Sequence, residues 1–131
     1  MNLMINEALN NGKNAHMAGH LNEASIFYND IIQSQPDHPD ANHNMGVVLF
    51  EMGKAVEALP LFKKALEVNA SVGQYWRSYI EALIDLGLIG DAQIVLDQAK
   101  KIGAEGTAFD QIGTKISKLA QNGLSENLMA E

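Results

Sequence analysis

Between Pro39 and Val72 the apolar residues fall into two helical stripes. Met45, Val48, Leu49 and Met52 recur at spacings of three and four, and after Gly53 so do Ala55, Ala58, Leu59, Phe62, Ala65 and Leu66. That pattern predicts two α-helices joined by a short turn, each with one buried face. A lone hairpin of this size cannot cover its own apolar face, so it needs neighbours. The chain supplies them at a fixed interval. Gly19, Gly53 and Gly87 are 34 positions apart, as are Ala24, Ala58 and Ala92, and as are Gly12 and Gly46. An acid precedes each of those alanines (Glu23, Glu57 and Asp91), while Tyr28, Phe62 and Leu96, and also Ile31, Ala65 and Ala99, stay in register. A period of this length predicts stacked helix pairs forming a solenoid.

The stripes also set the expected element bounds. A first helix is predicted over about Leu3–Ala18, turning Leu3, Ala8, Asn11, Ala15 and Ala18 inward. A second, over Leu21–Ser34, buries Ala24, Phe27, Tyr28 and Ile31, with Gly19 turning the chain between the two at low steric cost. The segment QPDHPD (35–40) ends one helix and begins the next, because proline cannot continue a helix but suits its first turn. Pro60 lies inside a predicted helix, where it removes one hydrogen bond without ending the element. A third pair is expected at Gln74–Leu86 and Asp91–Ile102, with Asp91 as N-cap or first-turn acid. Thr107 and Asp110 suggest a capping box, and Phe109, Ile112, Ile116 and Leu119 form a further apolar stripe with Asp110, Gln111, Lys115 and Lys118 facing away. This predicts a helix over 107–121 that covers the last pair, as stacked arrays need for solubility. Residues 122–131 read either as a further short helix on Leu124, Leu128 and Met129 or as the start of a linker.

These residues resemble the tetratricopeptide repeat (TPR) family, whose unit is a helix–turn–helix of 34 residues. Three units fit, at Ile5–His38, Pro39–Val72 and Gly73–Gly106, covering about four fifths of the chain. In the middle unit Gly46, Leu49, Ala58, Phe62 and Ala65 fall on signature positions, Trp76 takes the aromatic position in the third, and Pro36 the closing proline in the first. The chain departs from the pattern where Ala8 and Asn42 replace tryptophan, Ile80 replaces a small residue, and Ala70 and Ala104 replace proline. The resemblance implies an all-α fold: a right-handed α-solenoid of three TPR units plus a C-terminal capping helix, forming one domain over 1–121 with 122–131 as tail or truncated linker.

In that family the first helix of each unit lines a concave groove. The resemblance places Asn6, Leu9, Asn10, Lys13, His16 and Met17 there from unit one. Unit two contributes Asp40, His43, Asn44, Val47, Phe50 and Glu51, and unit three Gln74, Arg77, Ser78, Glu81, Ile84 and Asp85. The candidate peptide-binding set is Asn10, Lys13, Met17, His43, Asn44, Val47, Phe50, Arg77, Ser78 and Glu81. Asn10 and Asn44 occupy equivalent positions, with Ser78 third, a partial row similar to the asparagine ladder of O-linked N-acetylglucosamine transferase. A side-chain amide carries both donor and acceptor, so it can hold a peptide backbone without reading its side chains. The alternative is that the two asparagines solvate an exposed face. The carboxylate clamp of co-chaperone TPR domains is matched only in part. Its first lysine falls on Leu9, its first asparagine on Lys13, and its last pair on Gln74 and Ser78, with Arg77 one position off. Glu81 and Asp85 would also oppose an acidic tail, so heat-shock chaperone tails are not expected ligands. The stretches QPDHPDANHNMGVVLFEMGK, QYWRSYIEALIDLG and DQAKKIGAEGTAFDQI look like the N-terminal TPR segment of large bacterial proteins in which a transferase domain follows. That implies an interaction module of a larger transferase.

Composition narrows the function further. At 131 residues, 47% hydrophobic and 19% charged, one compact domain is expected. A net charge of −7 and a pI near 4.9 leave no basic face for phosphates, so nucleic acid is not an expected partner. No apolar run approaches the roughly 20 residues of a membrane span. The start, MNLMINEALNNGK, lacks the basic and apolar blocks of a secretory signal, so a cytoplasmic location without a membrane partner is expected. Without cysteine there is no thiolate chemistry. His16 and His20 have a metal-ligand spacing, but Gly19 between them should end the helix and no third ligand is near in sequence. His38 and His43, on either side of Pro39, read as surface residues, and Glu81 and Asp85 as a repelling pair. No nucleophile–base pair or phosphate-cradling loop stands out, so no enzymatic activity, metal or cofactor is expected. The expected function is a non-catalytic protein- or peptide-binding scaffold with its ligand in the concave groove. The alternative is a homodimer paired through the opening helix, where Met4, Ile5 and Leu9 have no earlier unit to cover them.

Overall fold

The computed structural model describes the backbone of residues 2–130 and the side chains of residues 4–123. Seven helices follow one another among those residues: α1 (Asn2–Met17), α2 (Leu21–Ser34), α3 (Pro39–Glu51), α4 (Ala55–Val68), α5 (Gly73–Asp85), α6 (Ile89–Lys101) and α7 (Thr107–Ala130). Each packs on its neighbours in sequence, and α5 also touches α3 and α7, so the pairs stack as a solenoid.

The turns inside the pairs share one geometry. Gly19, Gly53 and Gly87 have φ of 81°, 80° and 76°, a left-handed conformation that costs a side-chain-bearing residue about 1–2 kcal/mol. Around Gly53, Lys54 N donates to Leu49 O at 2.8 Å and Gly53 N to Phe50 O at 3.0 Å, closing the helix end as a Schellman motif. Between pairs, His38 caps α3: its Nδ1 accepts from Ala41 N at 3.1 Å, ahead of Pro39 in the first turn. His38 is thus a capping residue, not merely a surface one.

Inside the first two pairs, a large side chain fills what a glycine of the opposing helix leaves open. A Cβ at Gly46 would lie 2.6 Å from the Phe62 ring, and one at Gly12 would lie 2.5 Å from that of Tyr28. Phe62 and Tyr28 are fully buried, and such burial stabilises by about 1.5–3 kcal/mol for a phenylalanine. Ala24, Ala58 and Ala92 are buried at every equivalent position, which lets the helices approach.

Several expectations need correction. Asn11 and Ala18 are exposed; the inward face of α1 is Leu9, Gly12 and Ala15. Leu9 and Ile84 belong to the core instead of the groove, and Phe27 is only half-buried. Helix α6 begins at Ile89, so Asp91 is a first-turn acid and not an N-cap. Thr107 is already helical, and Gly106 O accepts the Asp110 N–H at 3.1 Å, so the expected Thr107–Asp110 capping box has no room to form. Helix α7 continues past 121 to Ala130; contacts of Leu124, Leu128 and Met129 lie outside the described side chains, as do those of Leu3.

Candidate functional site

The first helices of the three pairs, α1, α3 and α5, carry one wall of the stack, and α7 extends it. Four polar contacts stitch this wall, each between residues 34 or 35 apart. His16 Nε2 meets Glu51 Oε2 at 2.8 Å, joining α1 to α3. The Tyr75 hydroxyl donates to Asp40 Oδ1, and His43 Nε2 lies 2.8 Å from Ser78 Oγ, joining α3 to α5. Lys115 Nζ donates to Glu81 Oε2 at 3.2 Å, joining α5 to α7. Lys115 faces away from the apolar stripe of α7 and also joins the wall, placing a cation beside Glu81, the acid four residues from Asp85.

Two adjoining cavities open along the wall. One, about 380 Å³, lies among Lys13, His16, Met17, Tyr28, Asp40, His43, Asn44, Val47, Val72, Gln74 and Tyr75. The other, about 250 Å³, is formed by Val47, Phe50, Phe62, Gln74, Arg77, Ser78 and Glu81. Val47 and Gln74 belong to both, so the two cavities adjoin along one wall. The larger part is rich in polar groups; the smaller has a floor of valine and phenylalanine. At its far end the Arg77 guanidinium sits 6.0 Å from the Phe109 ring centroid, within cation–π range.

His43 is a buried polar group of this wall. It is 4% exposed, which overturns its reading as a surface histidine. Its ring lies 4.8 Å from that of Tyr75 and 5.7 Å from that of Phe62. Burial holds its pKa below the usual histidine value, against smaller opposing effects from the Asn44 hydrogen bond and the Asp40 charge. Burial, the Asp40 hydrogen bond and the Asp40 charge together push the Tyr75 phenol well above its usual range. Tyr28, under Gly12, keeps a buried hydroxyl with no protein partner among the described residues, and burial raises its pKa too.

The wall gathers nine of the ten candidate residues. Lys13, Met17, His43, Asn44 and Val47 line the larger cavity, and Val47, Phe50, Arg77, Ser78 and Glu81 the smaller. Asn10 is exposed on α1 and lines neither. Sequence reasoning missed Tyr28, Phe62 and Tyr75 as lining residues. The recurrence of polar partners 35 positions apart, as in Asp40 with Tyr75 and His43 with Ser78, is the signal that could have found the wall's internal bonds. His16 and His20 turn to different acids, Glu51 at 2.8 Å and Glu23 at 3.4 Å, so they do not converge.

Ser78, His43 and Asn44 have the connectivity of a nucleophile, a base and an orienting group. Ser78 lies inside α5, however, where the surrounding backbone N–H groups are spent on the helix, so no pair is free to stabilise a developing oxyanion. The arrangement suits binding. Among the described residues no helix is long and apolar enough to cross a membrane.

No protein-family model and no curated protein sequence matches the chain. Solved structures do. The first TPR domain of human RPAP3 is 18% identical with a TM-score of 0.82, over 91% of this chain and 94% of that one. The TPR2B domain of yeast Sti1, solved in complex with pHsp70, is 22% identical with a TM-score of 0.81, over 92% and 98%. The O-GlcNAc transferase of Thermobaculum terrenum is 20% identical with a TM-score of 0.71, over 77% of this chain but 19% of that one. The chain has the fold of tetratricopeptide repeat domains.

Proposed function

We propose that the chain is a non-catalytic module that binds an extended protein segment along the wall formed by α1, α3 and α5. The observation that carries this reading is the adjacency of the two cavities, which share Val47 and Gln74. An extended peptide rises about 3.3 Å per residue with side chains alternating in direction, so successive side chains suit adjoining hollows of different polarity. Val47 and Phe50 supply apolar contact, and Lys13, Asn44 and Arg77 supply polar anchoring. Asn10, outside both cavities, is a peripheral contact in this reading. The complex of Sti1 with pHsp70 supports partner binding as a use of the fold. Chaperone C-termini are not the proposed ligand here: Leu9, at the clamp's first lysine position, is buried, and Gln74 and Ser78 stand where its last cations belong.

The similarity to a short part of an O-GlcNAc transferase supports the finer proposal that this is the interaction module of a larger transferase. A second reading, pairing of two copies through α1, draws on Met4, which is 75% exposed, but loses Leu9, which is covered by the first pair's own core. Sedimentation at dilute and high concentration separates the two, since a stable dimer supports pairing.

The test of the groove is a peptide selected on the chain from a random display library. Truncating both Asn44 and Phe50 to alanine should weaken its binding by at least about tenfold while the helical signal is unchanged, as expected for a central aromatic contact and a polar anchor. Undiminished affinity in that double variant rejects this placement.

A further inference from the structure

We propose that His43 fixes the hydrogen-bonding direction of Asn44, so that the groove presents an N–H donor there and selects ligand carbonyl or carboxylate oxygens over ligand N–H groups. The inference rests on the groove being the binding surface. It departs from the expectation that a groove asparagine offers donor and acceptor alike.

His43 Nδ1 is 3.2 Å from Asn44 Oδ1, and Nε2 is 2.8 Å from Ser78 Oγ. A carboxamide oxygen only accepts, so Nδ1 carries the proton. A neutral imidazole then has its lone pair on Nε2, where the Ser78 hydroxyl donates. Burial disfavours the doubly protonated ring, consistent with one nitrogen donating and the other accepting. Because the oxygen and nitrogen of a carboxamide lie in one plane, on opposite sides of the Cβ–Cγ bond, an oxygen turned to the buried ring leaves the nitrogen for the cavity that Asn44 lines. Asn10 provides the contrast. The residue before it is Leu9, which has no ring nitrogen, so nothing equivalent fixes the Asn10 amide. Two asparagines at the same position of successive units therefore differ through the residue that precedes each. His43 is a positioning residue: it acts on a ligand through Asn44.

Two measurements on the full chain test this. Long-range ¹H–¹⁵N correlation spectra near neutral pH report which imidazole nitrogen is protonated. The expected result is Nδ1–H. The Nε2–H form overturns the proposal, because Asn44 would then turn its nitrogen to the ring. The second measurement titrates N-methylacetamide, which has an acceptor and a donor, and N,N-dimethylacetamide, which has only the acceptor, while following the Asn44 side-chain amide signal. In the native chain both should shift it with equal affinity. In His43→Leu, N-methylacetamide should gain about two- to threefold over the dimethyl compound, the lower range for one added hydrogen bond. A native preference for N-methylacetamide, a ratio unmoved by His43→Leu, or no Asn44 response to either probe overturns it. The tautomer needs no variant, so the proposal stays testable if His43→Leu does not fold. Neither readout depends on a peptide, so failure of the groove as a peptide site is seen separately.

Discussion

In the second helical pair Phe62 lies over Gly46, with no space for a Cβ; in the third, Ile80 and Leu96 share one buried cluster. A large ring over no side chain has become two aliphatic side chains of middle size. The same two pairs differ at a second equivalent position. Asn42 Nδ2 donates to Pro36 O at 2.9 Å and to His38 O at 2.8 Å, whereas Trp76 Nε1 donates to Ala70 O at 2.8 Å. Pro36 and Ala70 are themselves equivalent, so an amide and an indole tie the same loop carbonyl to the same place on the next helix. Between these two pairs the filled space and a donor at a fixed point are kept, and the residue type changes around those constraints.

The comparison can be broken most sharply by moving one half of an exchange. Gly46→Ile alone, with Phe62 still in place, should destabilise the chain by about 3 kcal/mol, the upper range for overpacking a tight core. Adding Phe62→Leu should recover a large part of that, because the sites share one space and their effects are not additive. Chemical denaturation of both variants checks this; strictly additive losses would mean that the third pair is not packed by exchange. Asn42→Ala comes next, at about 1–2 kcal/mol, since it removes the donor to two loop carbonyls. Trp76→Phe isolates the indole bond and should cost about 1 kcal/mol.

The two pairs also meet through a titratable group. His43 has a folded-state pKa below its unfolded value, so between the two values the unfolded chain binds more protons and stability rises with pH. Its contribution is complete above about 6.5, the unfolded value. It is lost as pH falls from there toward the folded pKa. Subtracting the stability profile of His43→Gln from the native one should isolate that slope; a flat difference below neutrality would show that His43 is not buried as described. The smallest effect belongs to the α5–α7 contact. Both partners are well exposed, so Lys115→Ala should change stability by about 0.5 kcal/mol or less, measured by the same denaturation.

Much of this architecture is legible in the sequence, because glycine and alanine recur with the period and each glycine turn is a local requirement. The bounds of α1 to α6 follow from that to within a few residues. The substitutions inside the pattern are less legible. Ile80 looks like a defect until Leu96 is seen beside it, and Asn42 looks like a lost tryptophan until its donor is found on the same carbonyl. His43 is misread for a physical reason. A histidine next to polar residues shows no hydrophobic signal, and its burial depends on Phe62, Tyr75 and Ser78, which lie 19 to 35 residues further along. Leu9 is misread in the opposite sense: the family pattern places it in the groove, but the local core claims it.

The central claim is that recognition belongs to the wall of α1, α3 and α5. Residue-by-residue chemical shifts of the labelled chain, recorded with and without the selected peptide, test it most directly. The account predicts changes centred on Lys13, Asn44, Val47 and Arg77. Changes centred instead on the exposed Ile26, Val56 and Ile94 of α2, α4 and α6, with that wall unmoved, would contradict it.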